Sequence, residues 1–358
     1  MPSSSIDTFL ASSVMIILAL SAMVGTSKLM SPYLNDLARR DDTEQLPHLA
    51  SHLLLATGTP ANWGQLANVK PTSLGLGKAN ARQPYELDID KVTRLNWENA
   101  YSLDYSDLWQ AFGIKDVSFQ IEIKPLFELS IELISSSTEG NQTTYEFQVN
   151  AQRSGMPVQA KLSGYAVVKD FVNKTTALTS ASGVGTLVAR VPNSLNGTAL
   201  LLVFAQSTAN LNVVSVSANV FSHNSQSPIP DDMFTKLDPL NYAVNATLLY
   251  DTAEVLGARI FTFNYNFSLT ARAQSAQTIE YALPRFLDAS PSVIVITGLN
   301  GSTSFAEWVA YPQVPLQIGA DFDESTTGSR IVVQNHIVAI NSALYEVITK
   351  WGGLVADV

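Results

Sequence analysis

The chain has 358 residues, a net charge of −10 and no cysteine, and only 15% of its residues are charged. The missing cysteines exclude disulfides, thiol catalysis and Cys-based zinc sites. The acidic balance and the lack of a basic patch exclude nucleic acid as an expected partner. Ser, Thr, Asn and Gln replace charge as the water-facing residues, a composition that reads as extracellular.

In chain order, the first element is the uncharged stretch Phe9–Ser27, FLASSVMIILALSAMVGTS. About 20 apolar residues cross a bilayer core, so residues 1–30 are expected to form an N-terminal membrane anchor. A cleaved secretory signal ending at Ser21 and a buried core helix are the competing readings. Lys28, Arg39 and Arg40 follow the segment. By the positive-inside rule they would hold the rest in the cytoplasm, but long domains translocate largely regardless of charge. The composition therefore decides the expectation: a single-pass membrane protein with its bulk outside.

Residues 31–116 are expected to be a helical stalk with a loop. Pro32 ends or kinks the first helix. Leu46, Leu49, Ala50, Leu53 and Leu54 then recur at helical spacing. Gly58 and Pro60 give a stop. Residues 64–84 read as loop, followed by short helices from Asp90 to Asn99 and from Asp104 to Gly113. At Val117 the period changes to two, with Val117, Phe119, Ile121 and Ile123 alternating with polar residues. Short strands separated by turn signals continue to the end. An Ig-like sandwich is expected over 117–222, a boundary in the Ser/Pro-rich stretch 223–232, and a second β-rich domain over 233–352. The expected class is α+β: a transmembrane helix and short helical stalk, then mainly antiparallel β-sandwich (Ig-like) domains.

Three segments carry a resemblance: IDTFLASSVMIILAL, LASHLLLATGTPANWG and YELDIDKVTRLNWENAYSLDYSDLWQAFGIKDVSFQIEI. In this order the first third of the chain resembles archaeal type IV pilin-like membrane proteins. The resemblance implies a surface protein with an N-terminal helix in the membrane or in a filament, a β-rich head outside, and itself or related subunits as partners. The chain departs from the family's pattern in having no basic residue before Lys28.

Asp7, next to the apolar stretch, is an assembly candidate through an ion pair with a neighbouring subunit. A helix N-cap, accepting the first-turn N–H groups, is the favoured reading. Asp321, Asp323 and Glu324 in DFDESTTG are calcium candidates, against a plain acidic turn. His48 and His52 share a helix face but lack further ligands. Six N-x-S/T sequons, at Asn141, Asn173, Asn196, Asn245, Asn266 and Asn300, are N-glycosylation candidates. The five tryptophans read as packing anchors. No catalytic residue and no cofactor are expected. The functional expectation is a non-enzymatic surface protein in adhesion, envelope structure or filament assembly. An anchored or secreted ligand- or polysaccharide-binding module is the alternative, and a surface hydrolase the third reading.

Overall fold

Strand alternation dominates the chain, and the fold follows it. The structure, a computed structural model, describes residues 48–113, 117–225, 235–285, 291–322 and 331–353. Backbone contacts divide the chain between Ser51 and His52. Residues 48–51 of the first unit are helical. Every described strand belongs to the second unit.

Of the described residues 57% lie in strands and 9% in helices, which overturns the expected α+β class. The fold is mainly β. No helix among the described residues is long and apolar enough to cross a membrane, and Phe9–Ser27 lies outside them. The expected helical stalk is also corrected. Its described part holds α1 over 48–55, a 3-10 turn at Trp63–Gln65, a two-residue strand at Glu86–Leu87, α2 (Ile89–Thr93) and α3 (Tyr105–Phe112), joined by irregular chain. The helix expected to reach Asn99 stops at Thr93 for a local reason. The Asn96 side chain accepts the Glu98 N–H at 3.0 Å, and that of Asn99 accepts the Tyr101 N–H at 2.9 Å. Such side-chain turns compete with the helical ladder. Gly113, with φ 72°, ends α3 as the sequence indicates.

Strands β1 (Glu86–Leu87) and β2 (Val117–Pro125) precede eight strands of a first sandwich. These are β3 (Glu128–Glu139), β4 (Gln142–Arg153), β5 (Met156–Pro157), β6 (Ala160–Val168), β7 (Phe171–Leu178), β8 (Val184–Pro192), β9 (Gly197–Ser207) and β10 (Val214–His223). One sheet runs β3-β4-β8 with β5 at its side, the other β10-β9-β6-β7. In immunoglobulin lettering this is A-B-E against G-F-C-C′. Phe147, Val149, Leu162, Leu187, Leu201 and Val203 fill the space between them.

A second set repeats the order. It comprises β11 (Thr235–Leu240), β12 (Ala243–Leu248), β13 (Ala253–Phe261), β14 (Asn266–Ser268), β15 (Ala271–Gln274), β16 (Thr278–Ala282), β17 (Ser292–Asn300) and β18 (Thr303–Tyr311). Its sheets are β11-β12-β16-β15 and β14-β13-β17-β18, or A-B-E-D and C′-C-F-G. The two C-F-G sheets face each other. Tyr165, Leu200, Leu202 and Phe204 of the first meet Phe261, Val293 and Val295 of the second. Strands β6, β9 and β17 are therefore buried on both faces, and their sequences run apolar without alternation, as in ALLLVFA and SVIVIT.

The remaining strands, β19 (Leu316–Gly319), β20 (Val332–Ile340) and β21 (Ala343–Gly353), pair with the first two in the order β1-β20-β21-β2-β19. Both sandwiches are thus inserted between β2 and β19 of one base sheet. Phe119 and Trp351 of that sheet pack with Phe112 of α3.

Candidate functional site

The most unusual chemistry sits on α2, in the sequence D-I-D-K-V-T-R. Asp88 caps the helix, its carboxylate accepting the N–H groups of Asp90 at 3.0 Å and Lys91 at 3.2 Å. Asp90 and Lys91 are fully buried and Arg94, just past the helix, nearly so. Charged residues are rarely interior unless paired, so the partners of each matter.

Arg94 has no carboxylate in contact among the described residues. Its guanidinium donates instead to backbone carbonyls: Nε to Tyr101 at 2.8 Å, Nη1 to Trp63, Leu66 and Val69 at 2.7, 3.0 and 2.9 Å, and Nη2 to Ala67 at 3.4 Å. Lys91 Nζ donates to the carbonyls of Thr57 at 2.8 Å and Gly77 at 2.7 Å. Burial lowers the pKa of both cations. Trp63 lies near both charges, its ring centroid 6.0 Å from Lys91 Nζ and 5.6 Å from the Arg94 guanidinium, and its Nε1–H donates to the Gly75 carbonyl at 3.1 Å. The chain over 56–78 is held by scattered backbone bonds such as Thr59 N–H to the Ser73 carbonyl and Leu76 N–H to the Leu53 carbonyl, and these two cations add donors to further carbonyls along it. Close approach also requires glycine: a Cβ on Gly75 would sit 2.4 Å from the Ala56 carbonyl oxygen.

Asp90 points the other way, toward the second sandwich. Its Oδ1 accepts the Tyr311 hydroxyl at 2.6 Å and the Asn241 N–H at 2.7 Å, while Oδ2 is buried and meets no donor among the described residues. Burial, helped by the nearby Asp88 charge, pushes its pKa up to about 6 against the pull of Tyr311, Asn241 and Arg285. The Tyr311 hydroxyl is pushed up in turn by burial and by Asp90. Around this pair, Asn96 Nδ2 donates to the Gln313 carbonyl, Asn99 Nδ2 to Gln313 Oε1 and the Pro239 carbonyl, and the Ala100 N–H to Asp238. The adjacent cavity, lined by Ile89, Tyr242 and Tyr311 among others, measures about 10 Å³. That is room for about one water and no substrate. The arrangement is chemically a latch: it holds the 52–113 segment on the ends of β11 and β18.

Known proteins add little here. No family model matches the chain. No curated protein matches it either. Among solved structures, HBP35 of Porphyromonas gingivalis is 13% identical over 53% of this chain and 64% of that one, with a TM-score of 0.19. A marsupial T cell receptor is 7% identical over 51% of this chain and 96% of that one, with a TM-score of 0.18. At such scores neither likeness carries an argument, and the sandwich assignment rests on the strand order.

The residues singled out in the sequence fall elsewhere. Asp7, Asp323 and Glu324 lie outside the described residues. Asp321 is exposed, and no group of three or more metal-ligating side chains occurs among the described residues. His48 and His52 are exposed on α1. Trp63 and Trp351 are buried anchors, whereas Trp97 is 78% exposed. Asn141 and Asn196 are exposed in turns, and Asn300 is half-buried at the end of β17. Asn173 and Asn266 are half-buried on β7 and β14. Asn245 lies on β12, between two partner strands, and its Nδ2 donates to the Tyr101 hydroxyl.

Sequence reasoning missed the α2 cluster. Asp90, Lys91 and Arg94 are spaced i, i+1 and i+4, which reads as a solvated helix face. The available signal was indirect: a long Gly/Pro-bearing loop upstream with no strand or helix to satisfy its carbonyls.

Proposed function

We propose that the chain is a non-catalytic surface module, held at the cell membrane by the apolar segment Phe9–Ser27 and exposing its β-rich part outside. The observation that supports this best is the doubled sandwich itself. Two modules of the same strand order share an apolar inter-sheet core and are inserted into one base sheet, so the head has few independent joints. A stiff head suits adhesion, envelope structure or the outer layer of a filament, in line with the pilin-like resemblance of the first third. The polar, charge-poor surface and the sequons in exposed turns support an outside location. Partners on this reading are the membrane and further copies or related subunits. Fractionation of cells expressing the full chain tests the tether. The protein should stay with membranes through alkaline carbonate and leave with detergent. Release by carbonate alone would refute the tether.

One observation favours ligand capture as a second reading. Tyr265 and Phe267 are 58% and 45% exposed, with ring centroids 6.3 Å apart and planes at 31°. Beside them runs a cleft of about 440 Å³ lined by Phe267, Ser268, Thr270 and Pro284. Two exposed, tilted aromatic rings next to hydroxyls suit a sugar chain. Loss of polysaccharide retention by Tyr265→Ala on an affinity gel would support this reading, and unchanged or absent retention would remove it.

A further inference from the structure

The sequons are not equivalent: the fold brings three of them together and ties up the side-chain nitrogen of a fourth, while Asn173 and Asn266 lie on separate strands, β7 and β14. An N-glycan needs an asparagine whose Nδ2 is accessible and free of a structural bond. Asn245, half-buried, fails on the second count. It sits on a strand paired on both sides, and its Nδ2 is spent on the Tyr101 hydroxyl, part of the contact between the 88–101 segment and the second sandwich.

Three other sequons converge. Asn141 is exposed in the β3–β4 turn after Gly140, and its carbonyl accepts the Asn193 N–H at 2.8 Å. Three residues on, Asn196 is exposed, and its Oδ1 accepts Lys169 Nζ at 3.0 Å. Two residues further, Thr198 is bonded to Ser304 twice, N–H to Oγ at 2.6 Å and Oγ1 to the carbonyl at 2.7 Å. Ser304 belongs to the β17–β18 hairpin whose end is the Asn300–Thr303 pair, where Asn300 Oδ1 accepts the Thr252 hydroxyl. Both bonded side chains, Asn196 and Asn300, engage through Oδ1 and keep Nδ2 out of these bonds. A continuous path of contacts therefore gathers three sequons from two sandwiches at one end of the first.

We infer that Asn141, Asn196 and Asn300 form a composite N-glycosylation site that clothes this end in sugar, and that Asn245 stays bare. The donor class is a lipid-phosphate-linked oligosaccharide. In the transfer, the Asn Nδ2 bonds to the anomeric carbon, the bond from that carbon to the lipid phosphate oxygen breaks, the lipid phosphate leaves with the electron pair, and the amide gives up one proton to a base. The inference rests on the outward-facing reading, since the transfer occurs on exported chains.

Expression of the full chain in a host that glycosylates exported proteins, followed by glycopeptide mass spectrometry, tests it. Glycan is expected on the peptides of Asn141, Asn196 and Asn300, and each Asn→Gln substitution should remove one glycan from the intact mass. The Asn245 peptide should carry none. Bare peptides at all three sites, or glycan on Asn245 in folded protein, would overturn the inference. Labelling of intact cells with a membrane-impermeant amine reagent, run on the same culture, separates the two failures. A labelled but sugar-free protein overturns the glycan site alone, and an unlabelled one overturns the outward-facing reading as well.

Discussion

Asp90 and Tyr311, 221 residues apart in the chain, meet in a 2.6 Å hydrogen bond in which the tyrosine hydroxyl donates to the carboxylate. The bond ties the charged helix α2 to the last strand of the second sandwich. Both groups are buried, so each is held away from its ordinary ionisation.

This pair makes stability depend on pH. Burial raises the Asp90 pKa from 3.8 to about 6, so the folded state binds its proton more tightly than the unfolded chain does. That contribution is fully present below pH 3.8 and is lost as pH rises through 6. A shift of this size is worth on the order of 3 kcal/mol. Asp90→Asn keeps an Oδ1 acceptor for Tyr311 and Asn241 and removes the charge. Denaturant unfolding from pH 4 to 7 should show the variant gaining on the parent by about that amount. A constant gap would refute the argument.

Arg94 should be harder to replace. Arg94→Ala removes the charged donor shared by the carbonyls of Trp63, Leu66, Val69 and Tyr101, of which Trp63 and Leu66 keep backbone N–H donors from Leu66 and Val69, and the loss is expected to cost roughly 1–3 kcal/mol. Arg94→Lys should recover only part of it, because an ammonium lacks the planar fork. Thermal unfolding of the two variants checks the order, and equal, small losses would count against the carbonyl cage.

The paired sheets give a sharper test. Leu201 and Leu202 are neighbours on β9 with side chains on opposite faces, and both are fully buried, one in each core. In a lone sandwich, one of two such neighbours faces water and tolerates truncation. Here Leu201→Ala and Leu202→Ala should each cost about 2–5 kcal/mol. A near-neutral Leu202→Ala would mean that the two modules do not share a core.

Glycine supplies a control of another kind. Gly75→Ala places a methyl 2.4 Å from the Ala56 carbonyl oxygen, and the loop must shift, at about 1–3 kcal/mol. Gly140→Ala meets nothing within 4 Å and carries only the strain of its φ of 57°, about 1 kcal/mol. Melting curves should rank Gly75→Ala as the more damaging.

The strands were largely legible because half-buried strands alternate, as Phe147, Val149 and Ala151 do on β4. Strand β11 was not, because Pro239 breaks the pattern, and proline is tolerated there since β11 is an edge strand. The facing of the two C-F-G sheets was invisible. Continuous apolar runs such as that of β9 say that both faces are covered, but not by what. The inserted base sheet was equally hidden, because β2 finds β21 more than two hundred residues later, and no local spacing records that pairing. The charged α2 failed for the opposite reason: its spacing imitates a solvated face, and only the fold of the upstream loop makes it interior.

The central claim is that the β-rich head faces outward from the cell. Lys161 and Lys236 are exposed on β6 and β11. A membrane-impermeant amine reagent applied to intact cells, with peptide mass spectrometry as the readout, addresses them directly. Modification of both lysines before lysis is the result predicted. Modification only after lysis would place the head inside and contradict the account.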